Sequence, residues 1–279
     1  MRILLLTLAV ALMTGCAENK PQATADKAKW LLLTKDDLAA GPQHTRHAEI
    51  FGKYVKGINL HILKGIDKVQ STAMDGGGYF VGKDSVPTES PIGYELKLLG
   101  RSLIDPPRST SYCSGSSYAA FIEGLNSLYA GTGRKLPDLQ YEALRMQEKD
   151  GGRRNDHVKF WGEWNADGYG NHFALVQYSG MGERIKPIQA RPGDFLNISW
   201  KSGLGHSVVF LGWYKDEKGK KHLLYWSSQA STNGLSDQLV DLDRIRELLF
   251  VRLTHPERLF TFKPGKTIET EIKGDTIEW

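Results

Sequence analysis

"RSTSYCSGSSYAAF", residues 108–121, holds one of only two cysteines in a chain of 279 residues. A polar loop leads into Cys113, and small residues follow it: Ser114, Gly115, Ser116 and Ser117. Beyond them Tyr118, Phe121, Ile122, Leu125 and Leu128 recur at spacings of three and four, which predicts an amphipathic helix. "AGTGRKLP" ends it with glycines and a proline. Cys113 is thus expected at a helix N-terminus. Backbone N–H groups there lack intrahelical partners and the helix dipole is positive, and both favour a thiolate. The small Ser114 and Gly115 would let a substrate backbone approach.

The other cysteine belongs to the first segment, "MRILLLTLAVALMTGCAENK". Arg2 precedes an apolar run, Ile3 to Met13, that is too short for a bilayer, which needs ~20 residues, but suits a signal-peptide core. "LMTGC" resembles the lipobox of bacterial lipoproteins. That resemblance implies that residues 1–15 are a signal peptide and that Cys16 carries lipid. Ala17, where inner-membrane retention favours Asp, points to the periplasmic face of the outer membrane. Residues 16–30 read as a polar tether. Cys113 then has no intramolecular disulfide partner in an oxidising compartment where structural cysteines pair. It is either an inert buried thiol or a reactive one.

A reactive thiol needs a base. Of the eight histidines, His44, His47 and His61 accompany a helical pattern over 44–72 and read as surface or packing residues. His222 and His255 sit in polar strand edges or turns, while His157 and His172 flank a tryptophan-rich stretch and could line a cleft. His206 stands apart. "GLGHSVVFLGWY" makes it the first residue of an apolar strand, after two glycines.

The chain changes character along its length. Residues 31–105 read as an N-terminal helical extension, and a short helix is expected over "DLQYEALRMQEK" and another around His172–Tyr178. After these come β-rich runs: "GDFLNISW", "HSVVFLGWY", "KHLLYWSS", "LLFVRL" and "RLFTFK". "KDEKGK", with Lys218, Lys220 and Lys221, reads as a solvated hairpin tip. Helices first and antiparallel strands second is the α+β pattern.

"YCSGSSYAAF", "RPGDFLNISW" and "GHSVVFLG" together resemble NlpC-type cell-wall peptidases and the related CHAP amidases, over roughly Thr110 to Gln229. The resemblance implies a papain-like core, with a catalytic helix packed on an antiparallel sheet across residues 106–279. It makes Cys113 the nucleophile and His206 the general base, with a third polar residue on the following strand to orient the imidazole. Gln229 is the choice there, with Ser227 second. Where the family has Asp before the nucleophile, for the substrate's free amine, this chain has Tyr112. The Tyr112 hydroxyl either helps bind the oxyanion beside the Cys113 N–H or packs. Ser114 and Trp164 are further substrate-contact candidates. Trp161, Trp164 and Tyr169 either stack on sugars or pin their own loop. Asp194 is expected to cap its own turn, and Arg108 to be a solvated loop residue.

The expected activity is hydrolysis of a peptidoglycan amide, in the stem peptide or at its junction with sugar. A thiol acyl- or amidotransferase and a non-catalytic cell-wall-binding lipoprotein are the alternatives. The net charge of +4, or +3 without Arg2, is too small and too scattered for nucleic acid. Without a Cys pair, His-Glu-x-x-His or P-loop, no cofactor or metal has a motif.

Overall fold

The computed structural model describes residues 29–73, 77–82, 91–106, 108–146, 159–166, 168–264 and 272–277. The signal peptide, Cys16, the tether through residue 28 and His157 lie outside them. Six strands form one antiparallel sheet in the order β3-β8-β4-β5-β6-β7: β3 Gly182–Ile185, β4 Phe195–Trp200, β5 Gly205–Lys215, β6 Lys221–Gln229, β7 Gly234–Asp241 and β8 Ile245–Leu253. With the helices that precede it, this is an α+β architecture.

Both faces of the sheet are buried, which is why "VVFL", residues 208–211, is continuously apolar instead of alternating. Val209, Leu211, Leu224 and Trp226 face one core, while Val208, Phe210, Leu223 and Tyr225 face the other. The first core is covered by the helix Cys113–Tyr129 and by a second helix, Ile58–Thr72. The two cross closely: a Cβ on Gly65 would lie 2.7 Å from the backbone nitrogen of Gly124. A larger residue at Gly65 would force them apart. The other core is closed by Trp30, Trp200, Leu242 and Ile277. There the chain joins β5 at its far end: Leu33 N–H donates to Trp213 O (2.8 Å), and Trp30 meets the Trp213 ring edge-on at 5.2 Å.

Several expectations need correction. The helical pattern over 44–72 breaks into α1 His47–Phe51 and α2 Ile58–Thr72, because Gly57 turns the chain at φ +65°. The extension is not wholly helical, since β1 Leu96–Leu98 and β2 Arg101–Ile104 form a hairpin within it. The helix that begins at Cys113 is α3 (Cys113–Tyr129), followed by α4 Asp138–Leu144. The tryptophan stretch is a short helix, α5 Phe160–Trp164, and not a loop. Trp161 and Trp164 are buried against Tyr118, Phe121 and Phe160, so their faces are unavailable for sugars. α6 (Gly170–His172) passes into a π-helical turn, Phe173–Tyr178. "RLFTFK" is not a strand: Pro256, with its fixed φ, opens a helical turn Pro256–Phe260.

Candidate active site

Cys113 is the first residue of α3, and α3 lies on β5 and β6. The β5–β6 ladder runs from Lys215–Lys221 to Val209–Trp226 and then opens. In the opening, hydroxyls replace ladder bonds. Ser227 Oγ donates to Ser207 O (3.0 Å), and Ser228 N–H donates to Ser116 Oγ (3.0 Å). Ser117 Oγ and Ser207 Oγ lie 2.8 Å apart. The first turn of α3 therefore fills a fork between two strands, and its serines satisfy backbone groups that the sheet no longer pairs. This explains why "SGSS" is polar and small although Ser114, Ser116 and Ser117 are buried.

The wedge sets the thiol. Burial pushes the Cys113 thiol above its ordinary value; the backbone N–H groups of Ser207, Ser114 and Cys113 pull the other way without overcoming it. Cys113 remains half-buried and opens onto the cleft, so water softens that penalty. The helix terminus favours the thiolate, as expected, but burial outweighs it, which leaves a thiol among N–H donors and in need of a base. His206, at the start of β5, opens onto the same cleft, which has a volume of about 410 Å³. Burial pushes its pKa down to about 4, with the Gln229 side chain opposing. The imidazole is neutral at rest. No hydrogen bond joins it to Sγ.

Gln229, not Ser227, stands against His206. Gln229 Nε2 donates to Thr232 Oγ1 (2.9 Å) and to Ser236 O (3.3 Å), leaving Oε1 for the imidazole. The contact is loosely aligned: His206 Nε2 and Gln229 Oε1 are both buried, and neither has a well-aligned partner. With Nε2 buried, Nδ1 is the nitrogen on the cleft side. Ser227 spends its hydroxyl on Ser207 O, inside the fork.

The remaining candidates separate. Tyr112 is buried and its ring packs near Trp161 at 6.4 Å; it does not line the cleft, so it is a packing residue and not an oxyanion donor. Gly115 is closed to substrate, because a Cβ there would overlap the Pro91 carbonyl. Ser114 and Trp164 do line the cleft. Ser114 Oγ donates to Asn165 Oδ1, and Trp164 Nε1 donates to Ser114 O (3.1 Å). Arg108 is exposed outside the cleft, and Tyr169 donates to Glu247 Oε2 (2.9 Å). Asp194 caps Arg191 N–H (2.7 Å) as expected and is also gripped by Arg252 through Nε and Nη2, both at 2.8 Å. His172 is buried away from the cleft and lowered to about 4 by burial and Arg184.

Two cleft residues carry no local sequence signal. Asn165, held through Oδ1, keeps Nδ2 available on the cleft wall. Arg246 reaches the cleft from β8. A third cluster lies elsewhere. His47 was expected at the surface or in packing, but it is buried between two carboxylates: Nδ1 on Asp67 Oδ1 (2.7 Å) and Nε2 on Asp237 Oδ1 (2.9 Å). Burial alone would lower His47, yet Asp237 and Asp67 outweigh it and raise the pKa to about 9. His44 stacks on His47 at 4.2 Å, with Nε2 on Asp237 Oδ2 (3.2 Å). These ligand-type atoms lie within 4.8 Å of one another. Their lone pairs are committed, however: His44 Nδ1 accepts the Arg46 N–H (3.1 Å), which puts its proton on Nε2. The cluster is an ion network that ties α1 and α2 to the edge strand β7.

No protein-family model, curated protein or solved structure matches the chain.

Proposed function

We propose that the protein is a cysteine hydrolase with a papain-like core, acting on an amide bond of peptidoglycan. One observation carries the reading: Cys113 at the head of α3 and His206 at the head of β5 open onto one cleft, with Gln229 held behind the imidazole. His206 Nδ1 takes the thiol proton as Sγ attacks the amide carbonyl. Because both groups rest neutral, proton transfer accompanies attack. Asn165 Nδ2 and backbone N–H groups at the start of α3 donate to the oxyanion. The imidazolium returns its proton to the leaving amine, and His206 then activates the water that releases the acyl group. Gln229 keeps the His206 proton on Nε2, so that Nδ1 offers a lone pair.

The peptidoglycan substrate, lipid attachment at Cys16 and a place on the periplasmic face of the outer membrane rest on the motif resemblances. Among the described residues no helix is long and apolar enough to cross a membrane. The test is digestion of purified sacculi by the protein and by Cys113→Ala, with products identified by mass. Fragments that vanish with Cys113→Ala would support the reading, and their masses name the bond. An added amine acceptor separates hydrolysis from transfer. Intact sacculi beside a folded protein would refute the substrate.

A further inference from the structure

The cleft has one formal charge among its described lining residues, and it is positive. Cys113, Ser114, Asn165, Asn197, Ser199 and His206 supply neutral polar groups, and Arg246 supplies the charge. Three observations mark Arg246 as placed for a ligand. It makes no hydrogen bond or ion pair with any described residue, while the neighbouring Glu247 is taken by Tyr169. It is the extra residue of a β-bulge: Ser199 pairs with Glu247 and Trp200 with Ile245, so Arg246 has no partner on β4. Bulges re-aim side chains and gather beside active sites. It also lines a second groove, of about 540 Å³, together with Lys201, Lys220, Lys221 and Asp243. Arg246 is the junction between the two.

The sign of this charge fits the Tyr112 position. A residue there cannot receive an ammonium group, because Tyr112 is uncharged and buried in the core. We infer that Arg246 forms a carboxylate subsite of the Cys113 cleft, so that the acyl substrate carries a carboxylate near the bond that is cut. The inference rests on Cys113 being the cleft nucleophile. A guanidinium pairs with a carboxylate through two parallel N–H donors, which gives orientation as well as attraction.

Paired thiol reagents test this without knowledge of the natural substrate. Iodoacetyl-glycine carries a carboxylate and iodoacetyl-glycinamide is its neutral twin; each transfers its acyl-methylene to Sγ with loss of iodide. Alkylation of the Cys113 peptide is followed by mass in the whole protein, which also separates it from Cys16. Relative to a small free thiol, Cys113 should favour the anionic reagent by roughly two- to fivefold at low salt, as expected of one exposed charge pair. Arg246→Gln should abolish that preference, read as the ratio of the two rates, because losing a cation from the cleft changes thiol reactivity toward both reagents alike. Arg246→Lys should retain part of it, and Arg246→Glu should reverse it. The same anionic preference in wild type and Arg246→Gln, or none in wild type, would overturn the subsite while leaving Cys113 as a nucleophile. A Cys113 inert to both reagents in the folded protein would overturn the nucleophile and the subsite with it.

Discussion

His47 is buried and His206 is half-buried at the cleft, and their titration goes in opposite directions. His206 sits near pH 4 and His47 near pH 9. Burial disfavours the imidazolium in both cases; the difference is the partner. His206 has a neutral carboxamide, Gln229, while His47 has two carboxylates, Asp67 and Asp237. An amide can fix a tautomer without holding a charge, whereas a carboxylate does both. One histidine is thereby kept ready to accept a proton, and the other is locked in the charged state as a fastener.

The largest expected effect comes from removing the base. His206→Ala should lower turnover by roughly 10⁴-fold or more, the scale seen when one member of a catalytic unit is lost. It should leave the melting temperature nearly unchanged, and a large loss of stability would make His206 a fastener too. Next comes the fastener itself. His47→Ala leaves the buried Asp237 and the half-buried Asp67 without their shared counter-charge and should destabilise by about 3–5 kcal/mol, read by denaturant unfolding. Activity per folded molecule should persist.

Gln229→Glu gives His206, the proposed base, the partner type that His47 has. The acid limb of kcat/KM, expected near pH 4 in wild type, should rise by roughly 1–2 pH units. An unmoved limb would mean that Gln229 does not address the imidazole. The smallest effects lie in stability against pH. His47 binds its proton more tightly folded than unfolded, so its contribution is full below pH 6.5 and lost as pH rises to about 9. His206 does the reverse: its contribution is full above pH 6.5 and lost as pH falls to about 4, and it is reduced by exposure to the cleft. The alkaline loss should disappear in His47→Ala and the acid loss in His206→Ala.

What was legible in the sequence follows from locality. The head of α3 and the head of β5 are each announced within a dozen residues, by a helical apolar stripe after Cys113 and an apolar run after His206. β4, β6 and β8 were legible for the same reason. β7, "GLSDQLVD", was missed, because it is a polar edge strand whose cover comes from far away: Pro42 O accepts Asp237 N–H (2.7 Å) and Ser236 Oγ (2.9 Å). The His47 network joins residues 44, 47, 67 and 237, and Arg246 depends on a bulge; no local pattern encodes either. The burial that opposes the Cys113 thiolate was not legible, because a helix terminus is visible in a sequence and a strand fork is not.

The entry of the chain beside Trp213 bears on mechanics. Trp213 lies seven residues along β5 from His206, roughly 23 Å at ~3.3 Å per residue. The described chain thus meets β5 far along the strand from His206. If the protein is moored through its N-terminus, load enters at Trp30 and Leu33 and passes into a buried central strand. A pull on the chain would then be borne by β5 at a point remote from His206, and not by the strand end that carries it.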